Sequence, residues 1–542
     1  MMTTMRKKKT KRTILFSFVL LLLIQNSVFA LEPEFETGYT PPPMDMSYLA
    51  KNPPKNITKR AFASKIPAVY DLRNTGKLTP VKNQKNYGTC WAHAAMAACE
   101  SNYLIRSKKG NFSGSLGNSK TLNLSEMFLA WFTYANPDKS KSFTLSNKKG
   151  ILNQGGNETK STAILSRIGI VQESSMPYGK TVSKNSRPGN YTRVLRLKEA
   201  TFSAPSLSSS EQDKIIKQLI MDRGAVLISY SEDSRYYNKK TNAYYRAGNA
   251  SVNHMVVIVG WNDNYSRGNF GLDKPKRNGA WLVRNSWGSK WGAGGYFWMS
   301  YEQYRYSGTA FTVEPVSEKL NHYGYDDLGW LRSVNVNGKR TCYAANVFRV
   351  KNSSESLCEI GFYTTDNGTK YTVSVYNYGD SKPTGKDLTE ALKEPDAIKS
   401  GTIDIAGYHT IKIDGVDLEE DDYFAVVLKV QSPSYNYPLA VEQYCKNYAE
   451  NVVVNSGESY FSSDGKNWID GKKFKGGSNA CIKAFTICTP DYDDEDYDDE
   501  EEFDDDYDDD YDEECEDDWD DEEDEDDYYF EDDGEFEEDE DE

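Results

Sequence analysis

Histidine is scarce in this chain: 542 residues hold four, at positions 93, 254, 322 and 409. His322 and His409 are too isolated to make a metal site, so no metal is expected, and no organic cofactor either. Cysteine is almost missing from the first 340 residues, where only Cys90 and Cys99 occur. On the helix expected there, nine residues place them about 13 Å apart along the axis and on opposite sides, too far for a disulfide. Cys90 is therefore expected to be a free thiol. Cys342, Cys358, Cys445, Cys481, Cys488 and Cys515 lie downstream, and their pairing stays open. After the first 30 residues no run is long and apolar enough to span a bilayer, so no membrane span is expected once a leader is removed.

Positive charge is missing from the last 52 residues, which contain 40 Asp and Glu and no Lys or Arg. The formal net charge of −19 therefore hides a division: residues 1–490 carry +21, or about +15 without the six basic residues of the first 30. A run of carboxylates cannot collapse against its own charge, so a disordered acidic tail is expected over 490–542, able to contact basic surface on its own body or on a partner. No nucleic-acid partner is expected. At the other end, a basic stretch from Arg6 to Arg12, an apolar core and Val28-Phe29-Ala30 form a secretory signal over 1–30. The mature protein is expected to be secreted or displayed on the cell surface.

Three distant segments carry chemistry: QKNYGTCWAHAA from Gln84, VNHMVVIVGW around His254, and WLVRNSWG around Asn285. A thiol attacks an amide carbonyl as thiolate, so it needs a base, a group that orients the base, and donors for the oxyanion. Cys90 is the candidate nucleophile, His254 the base and Asn285 the orienting group. Gln84, six residues before Cys90, can join the Cys90 N–H in an oxyanion hole. Residues 90–107 read as a helix behind a turn at Gly88 and Thr89, which puts Cys90 at a helix N-terminus where the dipole favours thiolate. His254 opens a buried strand and Asn285 follows another. His93 lies one helical turn deeper than Cys90 and is expected to pack or line the cleft.

These residues, in this order, resemble the papain family of cysteine proteases. Gln84, Gly88, Cys90 and Trp91 match the nucleophile motif, Asn253-His254 the histidine segment, and Asn285-Ser286-Trp287-Gly288 the asparagine segment. The resemblance covers roughly 67–315. It implies a two-part α+β protease, helical on the left and β-barrel-like on the right, acting on protein or peptide substrates. It also implies that Gly155, Gly156, Val252 and Asn253 lie at the substrate-binding cleft and that Trp287 shields the active site. Two departures stand out: Tyr87 replaces the usual cysteine three residues before the nucleophile, and 164 residues separate Cys90 from His254, more than the roughly 130–150 expected.

Residues 31–66 have no clear helical period, with PPP at 41–43, and read as a linker or short pro-segment. Beyond about 316, seven or more β-branched and aromatic runs separated by turn residues argue for an antiparallel β-sandwich over 316–489. YGYDDLGW and YTVSVY there resemble a lectin-like domain, which implies a glycan or cell-surface partner. The expected whole is an exported cysteine endopeptidase; the competing expectation is a catalytically idle surface adhesin.

Overall fold

The computed structural model describes residues 36–57, 59, 65–108, 115–146, 149–204, 210–305, 308–316, 320–391 and 394–488. The expected signal over 1–30 and the acidic tail over 490–542 lie outside them.

Helix α1 (Cys90–Lys108) runs through the middle of the first half, with every side chain from Cys90 to Ile105 buried. Its alanines at 92, 94, 95, 97 and 98 allow neighbours to approach on all sides, which is why it shows no amphipathic period. Glu100 would be costly in that interior without partners. It receives hydrogen bonds from Thr79 and the Leu124 N–H, and pairs with Lys82 at 2.8 Å. Lys82 also holds Glu126, at the start of α2 (Glu126–Phe132), at 2.6 Å. This buried charge cluster ties the backbone two residues before Gln84 to α1. Helix α3 (Glu158–Ile168) is capped by the Asn157 side chain, which accepts from the Lys160 N–H, and α4 (Ser210–Arg223) completes the larger helices.

The strands that matter for the site are β1 (Val69–Asp71), β2 (Leu195–Ser203), β3 (Val226–Tyr230), β4 (His254–Asn262), β5 (Ala280–Arg284), β6 (Tyr296–Ser300) and β7 (Gly308–Pro315). From the second half come β8 (Leu320–Gly324), β9 (Glu355–Thr364), β10 (Gly407–Leu418) and β11 (Ile482–Cys488). They join one continuous sheet in the order β8-β11-β9-β10-β2-β7-β3-β4-β5-β6, with β1 on β4. Strand β4 is central and fully buried from His254 to Trp261, as its unbroken apolar run requires.

The two halves meet where β10 pairs with β2, Gly407 opposite Thr201 and His409 opposite Glu199. Gly407 has φ 143°, and a Cβ there would lie 1.9 Å from the Ala200 carbonyl oxygen, so only glycine allows this approach. Arg196 and Lys198 on β2 pair with both Glu314 on β7 and Glu359 on β9. A second sheet, in the order Ala397–Ile403, Thr369–Asn377, Tyr423–Gln431, Thr341–Arg349, Ser459–Ser462, Ile469–Asp470, closes the sandwich. Phe348, Leu357, Phe362, Val373, Phe424 and Val426 fill the space between. The architecture is thus an α+β body with a C-terminal β-sandwich, and the two share a sheet. Tyr448 of the second half packs into the core of the first.

Candidate active site

Cys90 stands at the first position of α1 and is fully buried. The Met255 N–H approaches its Sγ at 3.4 Å, and the backbone N–H groups of Gly38, Trp91 and Cys90 itself also favour a thiolate there. Burial outweighs them and pushes the thiol up to about 11. His254, at the start of β4, binds Asn285 Oδ1 through Nε2 at 2.8 Å, and Asn285 Oδ1 also accepts from the Ser286 N–H. Asn285 follows directly on β5, so the β4–β5 pairing fixes this contact. Trp287 stacks on the imidazole, centroids 4.7 Å apart and planes 23° from parallel. His254 Nδ1 is buried with no hydrogen-bond partner among the described residues, the thiol included. Burial lowers the imidazole to about 4, against the opposing effect of Asn285. Both members of the pair are therefore held uncharged at neutral pH.

Gln84 is fully buried and held at both ends of its amide. Its Oε1 accepts from Ser286 Oγ at 2.6 Å, and its Nε2 donates to the carbonyls of Tyr87 and Glu36, both at 2.8 Å. Tyr87, where the resemblance leads one to expect cysteine, thus serves through its backbone. His93 faces elsewhere: Nδ1 bonds the Thr89 carbonyl at 3.0 Å, the ring meets Tyr178 edge-on, and burial lowers it to about 3.

The Glu36 carbonyl belongs to a segment whose place the sequence did not reveal. Residues 36–40 run through the cleft as an extended strap. Gly156 binds them from both sides, accepting from the Thr40 N–H and donating to the Gly38 carbonyl, each at 2.9 Å. The Tyr39 N–H donates to the Asn253 carbonyl, also at 2.9 Å. Gly38 lies so close to Gly88 that a Cβ on it would come within 2.0 Å of the Gly88 oxygen. Of the residues expected at the substrate cleft, Gly155, Gly156 and Asn253 meet the strap, and Val252, half-buried, packs against the cluster that contains Tyr39 and Cys90.

Beyond the cleft the strap crosses to the second half. Tyr48 stacks on Tyr435 at 3.7 Å, nearly parallel, and its hydroxyl donates to the Thr365 carbonyl at 2.6 Å. Asn52 Nδ2 bonds Asp366 Oδ1 at 3.1 Å and the Asn367 carbonyl at 2.8 Å, while the Asn56 and Ile57 N–H groups bond the Asp404 carboxylate, both at 2.8 Å. Pro-rich and without periodicity, this stretch offers no one-dimensional sign of either contact.

A thiol at a helix N-terminus, an imidazole bonded to asparagine under a tryptophan, and a peptide laid across them form the arrangement expected of a cysteine protease. The family model "Papain family cysteine protease" matches residues 66–125 and 142–314, and "Lectin like domain" matches 322–486. The clostridial cysteine protease Cwp84 after propeptide cleavage has a TM-score of 0.64 at 27% identity, covering 78% of this chain and 99% of that one. The cysteine protease and lectin-like domains of Cwp84, a surface layer associated protein of Clostridium difficile, give 0.63 at 26%, covering 79% and 90%. A cysteine protease of Blomia tropicalis is 26% identical over 49% of this chain and 70% of its own length. Fruit bromelain of Ananas comosus is 27% identical over 44% and 56%. The chain carries a cysteine protease domain of the papain family, followed by a lectin-like domain.

Proposed function

We propose that the protein is an exported cysteine endopeptidase that hydrolyses peptide bonds through Cys90, His254 and Asn285, and that it is held latent by its own residues 36–57. The observation that carries this reading is the strap: a polypeptide already lies across the thiol, with one carbonyl on Gln84 and a two-sided hydrogen-bond pairing to Gly156. With the strap displaced, the Cys90 proton passes to His254 Nδ1, the nitrogen Asn285 leaves available. Thiolate attacks the substrate carbonyl carbon, and the oxyanion is held by Gln84 Nε2–H and the Cys90 N–H. The imidazolium gives its proton to the leaving amine as the C–N bond breaks, which leaves a thioester. Water, deprotonated by His254, then attacks the thioester, and return of the proton to sulfur releases the acid. Trp287 keeps water from the His254–Asn285 contact, where it would compete for the hydrogen bond.

Export is supported by the leader-like residues 1–30 and by the surface association of Cwp84; no helix among the described residues is long and apolar enough to cross a membrane. The lectin-like domain is assigned binding of a glycan or other cell-surface ligand, which a glycan array with the full chain tests. For the chemistry, Cys90→Ala should abolish peptide hydrolysis with the fold intact, and His254→Ala should come close to doing so. Retained turnover in Cys90→Ala would sink the mechanism.

A further inference from the structure

Among residues 36–40 only the Tyr39 side chain is buried, at 7% exposure. Its N–H is held by the Asn253 carbonyl and its two neighbours, Gly38 and Thr40, by Gly156, so this ring occupies the place open to a side chain of a peptide paired with Gly156. Two residues beyond Gly156, in the first turn of α3, Glu158 is buried at 2% exposure, and its Oε2 has no hydrogen-bond partner among the described residues. Among the described residues, the titratable groups close enough to act on this carboxyl or feel it are two hydroxyls, Tyr39 from the strap and Tyr448 from the lectin-like domain. Lys160, on the same helix, turns its ammonium away to the Tyr134 hydroxyl at 2.7 Å and to the rings of Phe143 and Tyr448. Among the described residues no cation acts on the Glu158 carboxyl.

A buried acceptor without a full set of donors is costly, and it discriminates sharply in favour of any ligand that brings one. We propose that Glu158 is a specificity-determining residue, selecting a long side chain that ends in a hydrogen-bond donor, tyrosine, lysine or arginine, at the substrate residue that pairs with Gly156. This rests on the reading of the strap as the occupant of the peptide-binding cleft. Burial pushes the Glu158 carboxyl up to about 7, while the Tyr39 hydroxyl favours its charged form. Below that pH the neutral acid suits tyrosine; above it the carboxylate gains an ionic preference for lysine and arginine.

The test is a peptide library on the full chain after limited proteolysis has cut the strap, with active sites counted by thiol titration. Wild type should select Tyr, Lys or Arg at one position within two residues of the scissile bond. In Glu158→Gln, an isosteric change, the ratio of kcat/KM for Lys over Leu at that position should fall roughly tenfold or more, the loss expected for a charge-assisted hydrogen bond. The Lys-over-Tyr ratio should rise from pH 6 to pH 8 in wild type and stay flat in the variant. Cleavage with no such preference, or with one that survives Glu158→Gln, overturns this inference alone. A chain with a titratable thiol that cleaves no peptide overturns the proposed hydrolysis, and this inference with it.

Discussion

Replacing Tyr48 by alanine should expose Cys90, although the Tyr48 hydroxyl and ring engage Thr365 and Tyr435 of the lectin-like domain and the residue lies nine positions along the strap from Tyr39. The change removes a parallel stack on Tyr435, about 0.5–1.5 kcal/mol, and the hydrogen bond to the Thr365 carbonyl, another ~0.5–1.5 kcal/mol. Burial of part of the ring adds roughly 1 kcal/mol. Together these give about 2–4 kcal/mol, which multiplies the population with the strap open by roughly 30 to 700. Because Cys90 is fully buried with the strap in place, alkylation requires opening, and its rate follows the open fraction when reclosing is fast. The assay is iodoacetamide labelling of the full chain, read on the Cys90 peptide by mass spectrometry. An unchanged rate in a variant of unchanged melting temperature would refute the coupling, because it would mean that residues 36–40 leave the cleft without the clasp.

Gln84→Ala should lower kcat of the activated enzyme by roughly 10²–10³, the usual loss for one oxyanion donor; a change confined to KM would make Gln84 an ordinary binding residue. Labelling of Cys90 should depend on pH differently in the two forms. Burial raises the thiol to about 11 with the strap in place, so thiolate appears only in strong alkali, whereas cutting the strap admits water and moves the onset to lower pH; coincident profiles would show that the strap does not set the thiol's environment. Tyr448→Ala should cost about 3–5 kcal/mol in denaturant titrations of the full chain, because the ring is buried against Phe143 and its hydroxyl accepts from Asn157 Nδ2 at 2.9 Å.

The protease motifs were legible because chemistry confines them. Cys90 must head a helix, His254 must open a strand, and Asn285 must end the strand beside it, so a few residue types at fixed places in chain order suffice, and α1, β4 and β5 start or stop where the text suggested. The sandwich was legible from β-branched and aromatic runs such as Tyr423–Gln431. Pairing between distant strands leaves no such mark: nothing around Gly407 announces that β10 continues the sheet of β2. Glu158 was illegible for a related reason. A glutamate in the first turn of a helix usually faces water and complements the dipole, whereas the tertiary fold buries this one near the hydroxyls of Tyr39 and Tyr448.

The described hydrogen bonds that hold residues 36–40 in the cleft come from Tyr39, Thr40, Gly156, Gln84 and Asn157, most of them between backbone groups. Each nets about 0.5–1.5 kcal/mol after exchange with water, and ordering five residues costs roughly 1–2 kcal/mol apiece, so residues 36–40 alone would not hold the cleft shut. The clasp on Asp366, Asp404, Thr365 and Tyr435 changes that balance by fixing the chain a few residues away, which makes closure an intramolecular event at high effective concentration. The proposed latency gives the lectin-like domain a task separate from ligand binding, and deletion cannot isolate that task, because β10 lies in the same sheet as β2. Point changes in the clasp separate the two roles, and Tyr48→Ala is the most direct: loss of latency with surface or glycan binding retained would assign them to different faces of one domain.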